Sequence, residues 1–378
     1  MKNELFDLID KLEKQRSLSL EEYKALIESY DGDLSAYSAE KARKASLRHY
    51  GNNIYIRGLI EISNYCRNDC YYCGIRKSNK SCQRYRLTKD EILECCDVGY
   101  DLGFRTFVMQ GGEDAFYSDE ILCEIIRTIK EKYPDCAVTL SLGERSKESY
   151  QALFSAGADR YLLRHETATR EHYEKLHPKN LSLDTRMECL ACLKEIGFQV
   201  GCGFMVGSPY QRTEDIARDL KFIEEFSPDM CGIGPFIAHK DTPFKGAENG
   251  SVELTLFLLS LIRLIKPDIL LPATTALGTL SADGRERGVL HGANVVMPNL
   301  SPLSVREKYM LYDGKAFSGS ESAQGIAQLK QKMKETGYEV VVSRGDARGI
   351  RNSEFGIAGK FCQRMKTDAA KEIMNYEL

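Results

Sequence analysis

The sequence lacks a long hydrophobic run, since none of its apolar stretches approaches the roughly 20 residues that cross a bilayer. It also lacks a large charge excess, and a net charge of −3 gives no indication of nucleic acid or an anionic membrane as partner. The N-terminus alternates charged with apolar residues at helical spacing and has no apolar core of the kind found in signal peptides. We therefore expect a cytoplasmic protein with no nucleic-acid partner and no membrane partner.

Disulfides are not expected, although the 378 residues include 13 cysteines. The number is odd, the chain shows no export signal, and disulfides rarely persist in the cytoplasm. Thiols that bind a metal, or that simply pack in the core, are the better interpretation of this cysteine content.

After residue 50, short apolar runs rich in β-branched residues alternate with longer amphipathic segments. The amphipathic segments 89–102, 119–132 and 213–225 read as helices. Repeated strand–helix units predict a parallel (βα)₈ TIM-type barrel, a fold that needs about 250 residues. The eight predicted strands are 54–64, 105–110, 137–142, 160–166, 199–206, 230–237, 269–275 and 293–298.

The predicted organisation is one barrel with an extension at each end. Residues 1–50 are expected to be helical, with Ser19 and Glu22 as a capping box. Residues 51–310 form the predicted barrel, whose seventh helix falls on the short, glycine-rich segment 278–292. Residues 311–378 form a C-terminal extension, with a helix over 323–335 and a basic, irregular end.

Three cysteines follow the first predicted strand with the spacing C-x3-C-x2-C: Cys66, Cys70 and Cys73. Three thiolates from one loop can bind three irons of a 4Fe–4S cluster and leave the fourth iron open to S-adenosylmethionine. One electron then breaks a carbon–sulfur bond and releases a deoxyadenosyl radical. Tyr72 suits an aromatic residue that packs beside the adenine. The loop lies at the C-terminal mouth of the predicted barrel, where the active sites of this fold are found.

Two other interpretations of the cysteines remain open. A structural zinc site would need a fourth ligand, and Cys82 lies nine residues beyond Cys73. The three thiols would otherwise be ordinary buried residues that happen to lie close together in the sequence.

Charged residues recur at alternate positions of two predicted strands. Residues two apart share a face of a strand, and the interior of a barrel is usually filled by aliphatic side chains. The charges either face outward or form internal salt bridges, or they line a polar cavity for a zwitterionic cofactor and an anionic substrate. We favour the cavity for Arg57 and Glu61 in the first strand and for Arg160, Arg164 and Glu166 in the fourth.

The second predicted strand ends in the sequence Q-G-G-E-D, where Gly111 and Gly112 allow the backbone to approach a ligand closely. This position fits a site for the methionine ammonium of the cofactor. Glu166 is a candidate partner for that ammonium, and Arg186 for the carboxylate.

The seventh predicted strand ends with Thr274 and Thr275, which are either hydroxyl donors to a ligand or ordinary strand residues. His239 and His291 are interpreted as structural, and neither is given a role in the chemistry.

Several motifs resemble those of FeFe-hydrogenase maturases of the HydE type, which are radical S-adenosylmethionine enzymes. The resemblance covers roughly residues 50–315. It is carried by S-N-Y-C-R-N-D-C-Y-Y-C-G, Q-G-G-E-D, V-T-L-S-L-G-E, G-A-D-R-Y-L-L-R-H-E-T-A, G-I-G-P-F-I-A-H-K-D-T-P, P-A-T-T-A-L-G-T and G-A-N-V-V-M-P-N.

The resemblance implies a role in assembling the diiron subsite of the hydrogenase H-cluster. The implied substrate is a small iron–cysteine complex that carries carbonyl and cyanide and is supplied by another maturase. The implied recipient is a GTPase scaffold, and the implied electron donor is a protein such as a ferredoxin or flavodoxin. The cofactor site would be lined by Gln110, Gly112, Glu113, Thr139, Glu166, Arg186 and Met230. The far cavity would be lined by Arg57, Arg164, Thr274, Thr275, Met297 and Tyr309.

One departure from the family concerns a second cluster. Some members carry three further cysteines after the Y-x-L-Y-x-G-K segment, whereas here residues 316–329 contain none and Cys362 is the only later cysteine. One 4Fe–4S cluster is therefore expected. The alternatives are a methylornithine synthase, a biotin-synthase-like enzyme, and a non-catalytic iron–sulfur or zinc protein.

Overall fold

The N-terminal part of the protein consists of three helices, as predicted. The computed structural model describes residues 2–316 and 319–347. Ser19 and Glu22 form the expected capping box, because the Ser19 hydroxyl accepts from the Glu22 amide and the Glu22 carboxylate accepts from the Ser19 amide. The helices are α1 (Lys2–Gln15), α2 (Leu20–Glu28) and α3 (Gly32–Tyr50).

The centre of the molecule is a parallel sheet of six strands with helices between them, which is the coarse architecture predicted from the alternating pattern. Consecutive parallel strands need a crossover connection, and a helix supplies each one. The strands are β1 (Asn53–Ile56), β2 (Gly58–Ser63), β3 (Thr106–Gly111), β4 (Ala137–Ser141), β5 (Arg160–Leu162), β6 (Gln199–Cys202), β7 (Met205–Val206), β8 (Met230–Cys231), β9 (Gly234–Pro235), β10 (Val295–Val296) and β11 (Glu339–Val341).

The remaining helices follow these strands, and serine or threonine side chains cap several of them. The predicted helices at 89–102, 119–132 and 213–225 are confirmed as α4, α5 and α9. The helices are α4 (Lys89–Asp101), α5 (Asp119–Lys132), α6 (Lys147–Ser155), α7 (Arg170–Leu176), α8 (Leu183–Ile196), α9 (Thr213–Phe226), α10 (Val252–Ile265), α11 (Thr275–Leu280), α12 (Gly284–Leu290), α13 (Leu303–Arg306) and α14 (Ile326–Glu335).

The sheet runs in the order β2-β3-β4-β5-β6-β8, and a second sheet has the order β10-β1-β11. All strand pairs are parallel, so the carboxyl ends of the strands lie together at one edge. The seventh predicted strand is reduced to two isolated parallel bridges, Met230 to Leu270 and Pro272 to Val295.

One prediction of local structure was wrong. Thr274 and Thr275 do not end a strand: Thr274 precedes α11, and Thr275 is the first residue of that helix. The seventh helix predicted on the glycine-rich segment 278–292 is present as two short helices, α11 and α12, of which α11 begins before the segment at Thr275. Gly284 begins α12 and lies against the Leu277 carbonyl, where a Cβ would lie only 2.3 Å from the oxygen. The predicted helix 323–335 is confirmed over most of its length as α14, which follows a 3₁₀ turn at Ala323–Gly325.

The predicted alternation in the fourth strand holds only as far as Leu162, where β5 ends. Arg160 does not lie at the carboxyl ends of the strands, so the prediction that it lines the polar cavity is wrong. Its guanidinium lies at the amino-terminal end, donating to Asp346 Oδ1 (2.6 Å) and Thr106 Oγ1 (3.0 Å). The alternative of an internal salt bridge is therefore correct for Arg160.

The segment 343–347 lies against the amino-terminal ends of the strands. Arg344 pairs with Asp159 (2.8 Å), and Asp346 accepts from the Gln199 amide (3.0 Å). The predicted irregular, basic end of the chain, together with Cys362, lies outside the described residues, apart from this first part. In the described part of the chain, no helix is both long and apolar enough to cross a membrane.

Candidate metal and cofactor site

The loop that follows β2 places Cys66, Cys70 and Cys73 at the carboxyl edge of the sheet, and all three thiols are half-buried and free. Burial raises the pKa of Cys66, holds that of Cys70 well above its usual value and raises that of Cys73 to about 12. Negative charges on neighbouring thiolates repel one another, and for this reason Cys73 and Cys66 both raise the pKa of Cys70. The thiols are therefore protonated until a metal displaces the protons.

Glycines fix the two sides of this loop. A Cβ on Gly74 would lie 2.1 Å from the Met310 carbonyl oxygen and 2.4 Å from the His239 ring. A Cβ on Gly112 would lie 2.2 Å from the Tyr65 carbonyl oxygen. The group that approaches Gly112 is the cysteine loop itself, and the predicted approach of a ligand to this glycine stays a prediction. His239 has the structural role expected of it.

The zinc alternative needs four ligands that converge on one ion. Among residues 2–316 and 319–347, no group of three or more histidine, cysteine, aspartate or glutamate side chains is arranged to hold a metal ion. Cys82 is occupied otherwise, since its sulfur accepts from the Asn64 side chain (3.5 Å). The thiols of a cubane cluster bind separate irons and need not converge on one ion, so the loop fits a cluster better than zinc.

Glu113 links the cysteine loop to the neighbouring strands. Its carboxylate accepts from Arg67 Nε (2.8 Å) and from the Glu144 amide (3.0 Å). The predicted role of Glu113 at a cofactor ammonium stays a prediction. In the described structure, the Glu113 carboxylate holds Arg67, the residue next to Cys66.

Tyr72 lies in a group of aromatic side chains with His177 and Tyr173. The Tyr72 hydroxyl donates to His177 Nε2 (3.2 Å), while His177 Nδ1 donates to the Tyr173 carbonyl (2.9 Å). Burial lowers the pKa of His177 to about 3, so the imidazole is neutral and its Nε2 can accept. His177 stacks on Tyr173 with 3.9 Å between ring centroids, and the buried Tyr173 hydroxyl has no partner among the described residues.

Sequence reasoning missed Tyr173 and His177. Both belong to the segment that forms α7 and ends at His177, and they lie four residues apart on one helix face, which is the signal that could have found them.

Glu166 and Arg164 form a charged pair at the end of the fourth strand, with 3.4 Å between Arg164 Nη2 and Glu166 Oε2. The backbone of Glu166 has a φ of 66°, a conformation that costs energy for a non-glycine residue and is typical of functional sites. Arg186 reaches the same place from α8. Its Nε donates to Glu144 (2.6 Å) and its Nη1 to the Arg164 carbonyl (2.7 Å).

Arg57 is buried between β1 and β2 with little to satisfy its charge. Its Nη1 lies 2.8 Å from Met230 Sδ, and its Nε and Nη2 have no partner among the described residues. Burial holds the pKa of Arg57 well below its usual value, and the charge of Arg160 adds to the effect. Met297 packs near Met230 in the same apolar cluster.

Several predicted site residues share this lack of partners. An unsatisfied buried polar atom costs roughly 1–3 kcal/mol, and such atoms are rare in folded proteins. Their presence together fits a site whose polar ligand supplies the missing contacts. The atoms without a hydrogen bond are Nε and Nη2 of Arg57 and of Arg164, Oγ1 of Thr139 and of Thr274, and Oε2 of Glu166; among them, Arg164 Nη2 and Glu166 Oε2 form the ion pair described above.

Thr275 differs from Thr274, because its hydroxyl is hydrogen-bonded to the buried carboxylate of Glu321. Tyr309 is also engaged: its hydroxyl accepts from Gln110 Nε2 (3.3 Å), and its carbonyl accepts from Lys315 Nζ (2.9 Å). Lys315 in turn pairs with the fully buried Glu61. The sequence interpretation missed Lys315.

The two buried arginines Arg57 and Arg160 allow a direct test of which guanidinium is available to bind a ligand. Replacing Arg57 by methionine should leave the stability of the unliganded protein unchanged or raise it, by up to about 1–4 kcal/mol, because an unsatisfied ion is removed. Replacing Arg160 by methionine should lower the stability by about 1–3 kcal/mol, since Thr106 and Asp346 lose their donor. Urea unfolding measures both changes, and a loss of stability in Arg57→Met as large as in Arg160→Met would contradict the interpretation.

Comparison with known proteins agrees with this geometry. Residues 60–223 match the family model of the Radical SAM superfamily. The chain is 43% identical over 309 residues to the [FeFe] hydrogenase maturase subunit HydE of Thermotoga maritima, covering 82% of this chain and 88% of the relative. It is 30% identical over 289 residues to 3-methylornithine synthase of Methanosarcina barkeri, covering 76% of this chain and 80% of the relative.

A solved structure resembles the chain along most of its length. Methylornithine synthase (PylB) has a TM-score of 0.79 at 26% identity, over 88% of this chain and 97% of that chain. The cysteine loop, the charged residues at the strand ends and these similarities lead to one assignment. The chain belongs to the HydE family of [FeFe] hydrogenase maturases, within the radical S-adenosylmethionine superfamily.

Proposed function

We propose that the chain acts on a small anionic iron–cysteine complex carrying carbonyl and cyanide, during assembly of the diiron subsite of [FeFe] hydrogenase. The observation that carries this proposal is the buried guanidinium of Arg57, which has two unpartnered donors. A buried cation of this kind is stable only with an anionic partner, and the described residues supply none at hydrogen-bonding distance.

The residues divide into a cofactor side and a substrate side. Cys66, Cys70 and Cys73 would hold the 4Fe–4S cluster, and Glu166 with Arg186 would meet the charged ends of S-adenosylmethionine. When bound, the cluster and S-adenosylmethionine supply a deoxyadenosyl radical by reductive cleavage of a carbon–sulfur bond. Gln110, Gly111, Gly112, Glu113, Thr139, Met230 and Tyr72 would complete the cofactor side.

On the substrate side, Arg57 and Arg164 would bind anionic groups through their free donors. Thr274 would add a hydroxyl, since its Oγ1 is buried and unpartnered. Met297, Tyr309 and Thr275 would shape the wall. No acid or base is required of these side chains, whose work is to bind, orient and exclude water.

The eight predicted strands would form a closed barrel around this site. Two observations support closure: the bridges of Leu270 to Met230 and of Pro272 to Val295 join the last strand of the six-stranded sheet to β10, and β10 pairs with β1. We also propose that the chain divides into an N-terminal helical extension (1–50), the barrel (51–310) and a C-terminal extension (311–378).

The proposed partners are another maturase that supplies the iron complex, a GTPase scaffold that receives the product, and a ferredoxin or flavodoxin as electron donor. The proposed location is the cytoplasm, which agrees with twelve described cysteines that are all free thiols.

A methylornithine synthase is the second candidate, because the chain resembles that enzyme in sequence and in fold. Incubation with lysine, S-adenosylmethionine and a reductant distinguishes the two. Methylornithine formation would favour the second candidate. Deoxyadenosine formation that depends on an iron–cysteine complex and not on lysine would favour the first.

Electron paramagnetic resonance of the anaerobically reconstituted, reduced protein tests the cofactor assignment. We expect a 4Fe–4S signal that changes when S-adenosylmethionine is added, because one iron is open to the cofactor. A signal that does not respond to the cofactor, or zinc in place of iron, would overturn the assignment.

A further inference from the structure

Arg84 joins the two ends of the cysteine loop through backbone carbonyl groups. Its Nη1 donates to the Asn64 carbonyl and to the Ile75 carbonyl (2.7 Å). Its Nη2 donates to the Arg76 carbonyl (2.6 Å) and the Asn79 carbonyl (3.2 Å). Asn64 precedes the three cysteines and the other three residues follow them, so one side chain closes the loop around the metal site.

The charge of Arg84 distinguishes it from the other arginines of this region. Arg67 pairs with Glu113, Arg76 with Asp69 and Arg86 with Asp114, each at 2.7–2.8 Å. Within the described ranges, no carboxylate forms an ion pair with Arg84. Its donors are used by neutral carbonyl oxygens, which leave the positive charge uncompensated.

The hydrogen bonds place this charge beside the cysteine loop, because the guanidinium is bonded to the carbonyl of Asn64, two residues before Cys66, and to those of Ile75 and Arg76, two and three residues after Cys73. A 4Fe–4S cluster with three thiolate ligands is anionic, and it gains one more negative charge on reduction. A fixed cation beside the loop therefore stabilises the reduced cluster more than the oxidised cluster.

We propose that Arg84 is a positioning residue for the cluster: its guanidinium holds the cysteine loop closed before metal binds, and its charge raises the reduction potential of the bound cluster. The second part rests on the cluster assignment made under the proposed function. The first part concerns the metal-free protein and stands independently of that assignment.

Two substitutions separate the charge from the hydrogen bonds. Arg84→Lys keeps the cation and loses the forked donors, whereas Arg84→Met loses both. Arg86→Met is the matched control, because Arg86 lies two residues away and is already neutralised by Asp114.

Hydrogen exchange of the metal-free protein tests the first part. We expect the amides of residues 66–80 to exchange about tenfold faster in both Arg84 variants, the factor for one or two lost net hydrogen bonds. The Arg86→Met protein should exchange like the wild type. Unchanged exchange in Arg84→Met would overturn the positioning role, whether or not that variant binds iron.

A redox titration followed by electron paramagnetic resonance tests the second part. We expect the midpoint potential to fall in Arg84→Met and to stay near the wild-type value in Arg84→Lys and Arg86→Met. An unchanged potential in Arg84→Met, or an equal fall in both Arg84 variants, would overturn the electrostatic role. If Arg84→Met does not retain iron, the potential of the Arg84→Lys protein tests the electrostatic role, because its charge is intact. A fall in that potential would overturn the role. If wild-type protein binds no iron, the cluster assignment fails and the exchange experiment still reports on the loop.

Discussion

Replacing Cys70 by serine should reduce release of deoxyadenosine from S-adenosylmethionine to the level of a sample without enzyme. Serine cannot supply the thiolate that holds one iron, and a loop with two remaining ligands does not retain a 4Fe–4S cluster with one open iron. Burial, together with the neighbouring thiols Cys73 and Cys66, holds the pKa of Cys70 well above its usual value. Anaerobic incubation with dithionite and chromatography of the nucleoside product measure the effect, and the iron content per chain should fall in parallel.

The matched control is Cys82→Ser, which changes a neighbouring half-buried thiol that donates weakly to the Lys308 carbonyl. We expect this variant to keep its iron and at least half of the wild-type rate. If Cys82→Ser lost metal as completely as Cys70→Ser, a four-ligand site would be indicated. Release of deoxyadenosine by Cys70→Ser at the wild-type rate would contradict the cluster assignment altogether.

Replacing Lys315 by methionine should lower the free energy of unfolding by about 3–5 kcal/mol, the usual cost of leaving one member of a buried ion pair without its partner. Glu61 is fully buried on β2, and Lys315 pairs with its Oε1 while Asn299 donates to its Oε2 (2.9 Å). Without Lys315, the buried carboxylate is left without its cation, and the folded protein is destabilised. Urea unfolding at neutral pH measures the change.

Two further variants show whether the loss comes from the unpaired carboxylate. The double variant Glu61→Gln with Lys315→Met should recover most of the stability, because the amide oxygen can still accept from Asn299. The exposed pair of Lys147 and Glu195 provides the control: Lys147→Met should leave the free energy of unfolding close to the wild-type value, because solvent screens an exposed ion pair. A double variant no more stable than Lys315→Met would show that the lysine stem, and not the charge, is what the fold requires.

The pair of Glu61 and Lys315 also places the segment after residue 310 beside the site. Lys315 holds the carbonyl of Tyr309, whose hydroxyl meets Gln110 at the end of β3. The sequence pattern suggests a domain boundary near residue 310. A chain cut there would nevertheless lack Lys315, and Tyr309 would lose the hydrogen bond that Lys315 donates to its carbonyl.

Charged residues in the interior fall into two groups that the sequence pattern cannot separate. Arg160 with Asp346, and Glu61 with Lys315, are internal ion pairs that fold the protein. Arg57, and the pair of Arg164 with Glu166, keep buried donor or acceptor atoms that form no hydrogen bond and are available to ligands. Alternation along a strand predicts which face a residue occupies, but it carries no information about a partner on another segment.

Features that depend on near neighbours along the chain could be predicted from the sequence. The spacing of Cys66, Cys70 and Cys73 indicates a cluster because three thiolates must come from one short loop, and Ser19 with Glu22 predicts a cap because both hydrogen bonds lie within one turn. Contacts between distant parts of the chain could be seen only in the folded protein. Arg160 meets Asp346 across 186 residues, and Glu61 meets Lys315 across 254. Such pairs form because burial makes an unpaired charge costly, and burial is a property of the whole fold.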